Sequence, residues 1–258
     1  MNLTNYPYFQ YRNRKSNEFN MIILNEMQFT IPEASLDFQS DVMGRSSDII
    51  HDNGKFLDFE KKFPVRMFKE ADRTIAAQLR DVVKWLYVGH DYSPLAFSEY
   101  AEYFYKAVCY ATVTAEDKKR EWLDIEFTFK CQPFIFRLDG ESERDIPSGQ
   151  RINNPELFPS QPLITFYKTT AVSDSNIYIS NGSTNKQFRI AKEAGIGTIT
   201  LDCENGIAYK EGGVNVSKYC FLNTDGYNPI TLEPGFSTFN FTNITKFKIK
   251  PRWRTIAV

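Results

Sequence analysis

In the segment "WLDIEFTFKCQPFIFRLDGESERDIPSGQ", residues 122–150, apolar and polar side chains first alternate and then lose all period. Leu123, Ile125, Phe127 and Phe129 fall on one side of an extended chain, with Asp124, Glu126, Thr128 and Lys130 on the other, the pattern of a half-buried strand. Pro133 withholds one ladder hydrogen bond. Beyond Arg137, "DGESERDIPSGQRINNPELFPSQP" offers Gly, Pro, Ser, Asn and charge in place of periodicity, which is the composition of a linker. The strand is expected to end where its domain ends.

Upstream, "NMIILNEMQFTIPE" carries two short apolar runs around Asn-Glu and predicts a hairpin near residues 20–32. "GKFLDFEKKFPVRMF" reads as a strand in which Pro64 demotes part to an edge or a bulge. One helix is predicted, "DRTIAAQLRDVVKWLY". Ile75, Leu79, Val82, Val83 and Leu86 recur at helical spacing, with Asp72 as N-cap and Gly89 just past the last turn. Two strands follow, within "EYFYKAVCYATV" and "EWLDIEFTFKCQPFIF", divided by the charged turn "TAEDKKRE". A helix set inside consecutive strands is α+β, not the βαβ alternation of a nucleotide-binding fold.

From Leu163 the pattern is all β. "LITFY", "NIYIS", "KQFRI", "GTITLD", "GIAYK", "FSTFNF" and "TKFKIKPRWRTI" are separated by turn signals such as "SDS", "NGS", "ENG" and "EPG". Short strands at that spacing over about a hundred residues predict a β-sandwich or jelly roll.

Composition sharpens this picture. The 258 residues suit two domains, and 22 Phe with 14 Tyr favour pleated, half-buried surfaces. The net charge of -1 argues against a surface built wholly for nucleic acid or an anionic membrane. The halves differ, however. Residues 161–258 hold 11 basic and 7 acidic residues, which leaves 20 and 25 for residues 1–160. Cys109, Cys131, Cys203 and Cys220 have no C-x-x-C spacing and only two histidines accompany them, so buried free thiols in a reducing cytoplasm are expected rather than zinc. The N-terminal segment lacks a signal-peptide core, and no run is long enough to span a membrane.

Candidate chemistry is sparse. His51-Asp52 and His90-Asp91 pair the residue types of acid-base or metal sites, but both sit beside turn signals without further ligands. "GRSSD" lacks the spacing of a nucleophile elbow, and neither "GIGT" nor "EGGV" opens a helix that could hold a phosphate. Glu99 with Glu102 and Asp202 with Glu204 are carboxylate pairs that spacing alone does not single out for glycoside hydrolysis. The segment "TKFKIKPRWRT" sets Lys246, Lys248, Lys250, Arg252 and Arg254 on one face at period two. That face is either the solvated side of a terminal strand or a patch for an acidic partner. Tyr209, Tyr219 and Tyr227 are candidate sugar-stacking rings on the sandwich. No catalytic, cofactor-binding or metal residue is assigned.

Four segments in order carry a family resemblance: "FQYRN", "RSSDIIHDNGKFLDFEKKFPVRM", "EWLDIEFTFKCQPFIF" and "LEPGFSTFNFTNITKFKIKPRWR". The chain resembles the distal tail proteins of long-tailed bacteriophages that infect Gram-positive hosts. In that family an aromatic-x-Cys-x-Pro-aromatic strand closes the first domain, matched by "FKCQPF". A Pro-Gly turn and a basic strand ending in Arg-Trp-Arg close the second.

The resemblance implies an α+β N-terminal belt domain over residues 1–137, an antiparallel β-sandwich with one helix and a hairpin. A linker at 138–160 and an all-β galectin-like or carbohydrate-module-like sandwich at 161–258 follow. It implies a homohexameric ring at the tail tip, with the tail tube protein, a tail-associated lysin or fibre protein, and receptor-binding or baseplate proteins as partners. DNA would only pass through its channel. The protein would be a virion component assembled in the bacterial cytoplasm, without enzymatic activity, cofactor or membrane contact. The alternative is a carbohydrate-binding module that attaches the virion to the host wall, although residues 161–258 leave no room for an inserted sugar-binding module.

Overall fold

A computed structural model describes residues 3, 5–24, 29–41, 43–110, 115–118, 121–182, 184–222 and 230–257. The chain forms two compact units, one of residues 1–135 with 256–258 and one of residues 136–255.

In the first unit one continuous antiparallel sheet runs in the order Arg14–Lys15, Phe9–Tyr11, Ser93–Phe97, Tyr103–Cys109, Trp122–Arg137, Phe59–Phe68, Met21–Ile23. A sandwich would have divided these strands between two facing sheets. Trp122–Arg137 buries Leu123, Ile125, Phe127 and Phe129 as its alternation predicts, and pairs without a break along Phe59–Phe68. Pro64 makes no bulge there. Its carbonyl accepts from the Leu24 N–H at 3.0 Å, on the side away from Glu126, so the missing N–H falls where no ladder bond to Trp122–Arg137 is due. No hairpin is seen among the described residues of the predicted span 20–32. Met21–Ile23 pairs with Val65–Met67 instead, while residues 25–28 lie outside the described residues. The predicted turn "TAEDKKRE" is in part a strand, Ala115–Lys118, folded back on Trp122–Ile125.

The helix spans Ile75–Tyr87. Its N-cap is Thr74, whose hydroxyl accepts from the Ala77 N–H, and not Asp72. Gly89 follows the last turn at φ 78°, as the sequence predicts. The buried face is Gln78, Val82, Trp85 and Leu86, with Ile75 and Leu79 partly covered, whereas Val83 is exposed. Trp85 turns the face that way. Its ring stacks on Phe19 at 4.7 Å and Phe9 at 5.4 Å, and its indole N–H donates to the Tyr11 carbonyl at 2.9 Å. Gln78 is tolerated in this core because its amide donates to the Phe19 and Phe68 carbonyls and accepts from the Glu70 N–H.

The second unit has two five-stranded antiparallel sheets. One is ordered Arg144–Asp145, Ile244–Lys250, Leu163–Lys168, Gly197–Asp202, Ile207–Lys210; the other Arg151–Asn154, Gly235–Thr242, Ser175–Asn181, Thr184–Ile190, Cys220–Leu222. Both supply the same core, since Phe247 of the first sheet packs 5.5 Å from Phe239 of the second. All seven predicted strand segments are found. Residues 138–160, which read as linker by composition, hold two edge strands, Arg144–Asp145 and Arg151–Asn154. Short edge strands with one neighbour need little apolar alternation, which is why the pattern hides them.

Candidate interaction surfaces

In the first unit the strands Ala34–Gln39 and Ile49–Phe56 pair only with each other. Three residues, Asn53, Gly54 and Lys55, stand opposite the single Ser35, and Gly54 takes φ 68° there, where a Cβ would meet no atom but the backbone would be strained. The Asn53 amide donates to the Ser35 hydroxyl and the Asp37 carboxylate, which pins the bulge. Phe38 and Ile50 are cross-strand partners and are 59% and 60% exposed. Phe29, Ile31 and Met43 add exposed apolar area nearby in the chain. An isolated two-stranded hairpin is marginal in water, and exposed apolar patches of this kind mark protein interfaces.

His51 and Asp52, expected in a turn, lie within this exposed strand. Asp52 accepts from the Gly54 N–H at 2.8 Å, and no cluster of metal-ligating side chains exists among the described residues. His90 and Asp91 are exposed beyond the helix end. Beside the helix a groove of about 520 Å³ has Phe19 and Trp85 in its lining. Five of its charges pair among themselves, Arg14 with Glu18 at 3.1 Å and Arg73 with Glu70 and with Asp81, while Arg12 donates to the Gly89 carbonyl at 2.9 Å. Exposed pairs of this type contribute little energy and present no reactive group.

Lys61 is buried on the core side of Phe59–Phe68, an insertion of charge into a run of apolar positions. Its ammonium lies 4.8 Å from the Tyr105 ring centroid and 5.7 Å from that of Phe97. Burial pushes its pKa down, against a smaller opposing influence of Cys131. All four cysteines are buried and free, with burial raising Cys109 to about 11 and Cys131, Cys203 and Cys220 to about 12.

In the second unit the five cations of 246–254 do not form one open face. Lys246 at φ 51° sits in a bulge of the Ile244–Lys250 strand, and Arg252 at φ 52° turns the chain after it. Lys248 pairs with Glu143 at 2.7 Å. Arg252 bonds Asp202 at 2.7 Å and lies 3.4 Å from Glu204, so that carboxylate pair holds a guanidinium. Arg254 donates to the Pro159 carbonyl and to Gln161. Phe247, Ile249 and Trp253 are buried between them. Of the three tyrosines, Tyr219 packs against the core, Tyr209 is half-buried, and Tyr227 lies outside the described residues. "GRSSD" is loop, and the glycines of "GIGT" and "EGGV" occupy positive-φ turns and strand ends.

No helix among the described residues is long and apolar enough to cross a membrane. These features define a protein built from antiparallel sheets, with one α-helix among the described residues. No protein-family model matches the chain, and no curated protein is similar to it in sequence. Solved structures are similar in fold. The crystal structure of SPP1 Dit (gp 19.1), described as a paradigm of the hub adsorption apparatus in phages infecting Gram-positive hosts, superposes with a TM-score of 0.70 at 15% identity, over 95% of this chain and 97% of that one. A component of the phage p2 baseplate in its activated conformation superposes at 0.51 with strontium and 0.50 with calcium, each at 9% identity. Those matches cover 95% and 94% of this chain and 97% and 96% of the other. The distal-tail resemblance in the sequence is thus matched by the fold.

Proposed function

We propose that the chain is a structural protein of a phage tail tip, and that it builds a homohexameric hub ring through residues 1–137. The observation that carries this reading is the exposed arm of Ala34–Gln39 and Ile49–Phe56. Its apolar pair and its unpaired strand edges need a neighbour, and a heterologous contact that closes by rotation supplies one in every subunit. The likeness to SPP1 Dit supports the same role. In the ring the tail tube protein would sit on one side and a tail-associated lysin or fibre protein on the other, with receptor-binding or baseplate proteins anchored outside and DNA passing through the channel. The role is assembly in the host cytoplasm and residence in the virion, not turnover.

Light scattering behind a sizing column tests it. The expected mass is six times 29.9 kDa. Residues 34–56 can be removed with a short glycine bridge, because the Leu57 N–H already donates to the Glu33 carbonyl at 2.8 Å across the base of the arm. The shortened chain should be a folded monomer. A full-length chain that stays monomeric at every concentration overturns the ring.

A further inference from the structure

The outer face of the sheet that contains Ser175–Asn181 does not follow strand chemistry. Its central strand presents Asn176, Tyr178 and Ser180 outward, between Asn240 and Gln187 on either side of Tyr178 and Thr238 and Asn185 on either side of Ser180. Asparagine is disfavoured in strands because its short amide competes for the backbone, yet three stand here in strand positions. Local rules broken without a compensating contact mark places where another requirement prevails. Gln187 donates to the Asn176 carbonyl at 2.8 Å, but the side chains of Asn185, Asn240 and Tyr178 have no hydrogen-bond partner among the described residues.

These residues line a groove of about 400 Å³ in which Tyr178 is 39% exposed. The bordering cations are engaged elsewhere, Lys186 with Glu233 at 3.2 Å and Arg189 with Asp174 at 3.5 Å. The groove therefore carries no free positive charge for a phosphate or uronate chain, and too little apolar surface for a protein anchor. It offers amides, each both donor and acceptor, around one aromatic face. Sugar hydroxyls also donate and accept, and the C–H face of a pyranose suits the negative face of an aromatic ring.

We propose that this groove binds a neutral hexopyranose oligosaccharide, with Tyr178 beneath one ring and Asn185, Gln187 and Asn240 on its hydroxyls. The site differs from the tyrosines singled out by sequence and does not depend on the ring-forming role. Saturation-transfer NMR on the full-length protein with cellotetraose, maltotetraose, mannotetraose and chitotetraose, and polygalacturonate as anionic control, tests it. At least one neutral tetrasaccharide should bind at millimolar concentration or below, with affinity indifferent to salt. Tyr178→Ala and Asn240→Ala should each weaken it about tenfold, the scale of one lost buried contact. Tyr178→Phe should retain most binding, and Tyr209→Ala, on the other sheet, should retain all of it. Because the substituted side chains face outward, unchanged thermal unfolding will confirm that the variants fold. Failure of every neutral tetrasaccharide to bind, binding untouched by both alanine variants, or binding of polygalacturonate alone that fades with salt overturns the proposal.

Discussion

Gly140 and Trp253 touch so closely that a Cβ on the glycine would stand 2.6 Å from the tryptophan backbone nitrogen. Hydrogen bonds on both sides fix the approach: the Arg252 N–H donates to the Gly140 carbonyl and the Arg137 N–H to the Trp253 carbonyl, both at 2.9 Å. The glycine is needed here for space. Gly140→Ala is expected to destabilise the second unit by about 2 kcal/mol, the scale of overpacking a fixed core. Thermal unfolding against a control Gly54→Ser, at a position whose substituent meets no atom, separates crowding from the strain of a positive φ.

Lys61 sits where its neighbours call for an apolar side chain. Lys61→Met is expected to raise stability by about 1 kcal/mol at pH 7. The sign follows from a folded pKa below the ordinary 10.5: the unfolded chain holds the proton more tightly, so wild-type stability rises with pH up to 10.5. The advantage of methionine should therefore shrink as pH rises towards 10.5. Urea unfolding at a series of pH values measures it.

Asp202 has the opposite dependence. Burial pushes its pKa up, but hydrogen bonds from Asn205 and Arg252 and the Arg252 charge outweigh that and hold it below the ordinary 3.8. Its contribution is present above pH 3.8 and is lost as pH falls through the folded value. Asp202→Asn should flatten the acid limb of the stability profile. Arg252→Ala, which leaves a buried carboxylate with Asn205 but no cation, should cost about 3 kcal/mol at neutral pH.

Phe38 and Ile50 face each other across the arm, so a Phe38→Glu/Ile50→Glu pair puts two like charges where an apolar contact is proposed. The subunit should unfold at an unchanged temperature while the assembled species disappears from the light-scattering profile. Retention of the full mass would place the subunit contact elsewhere.

The helix start offers a small test of capping. Thr74→Ala should cost about 1 kcal/mol and Asp72→Ala almost nothing, as read by thermal unfolding.

What the sequence disclosed depended on which residues had two constraints to satisfy. Trp122–Arg137 and Gly197–Asp202 occupy the predicted spans because one face is buried and the other is not, which imposes period two along most of each strand, in the first as far as Cys131. Arg144–Asp145 and Arg151–Asn154 have one neighbour each and bury little, so their composition still looks like linker. The arm was missed for a related reason. Its apolar residues face outward, and Asn53-Gly54, ordinarily a hairpin signal, lies in its bulge rather than its turn. In the basic strand, period two was the wrong guide because Lys246 and Arg252 take left-handed backbone angles that reset which side each following residue faces. The amide face escaped notice for want of any motif. Only strand pairing brings Asn240, Tyr178 and Gln187 into one row.

The first unit takes its closing residues from beyond the second in sequence: the Ala257 N–H donates to the Pro133 carbonyl at 2.9 Å, and Ala257 is fully buried. On the ribosome, about 120 residues separate those two partners in time. Trp253 closes the core of the second unit and Ala257 that of the first, so both cores keep a gap until residues 253–257 have left the exit tunnel. Translation thus brings both units to completion at nearly the same moment, although most of the first has been outside the ribosome far longer.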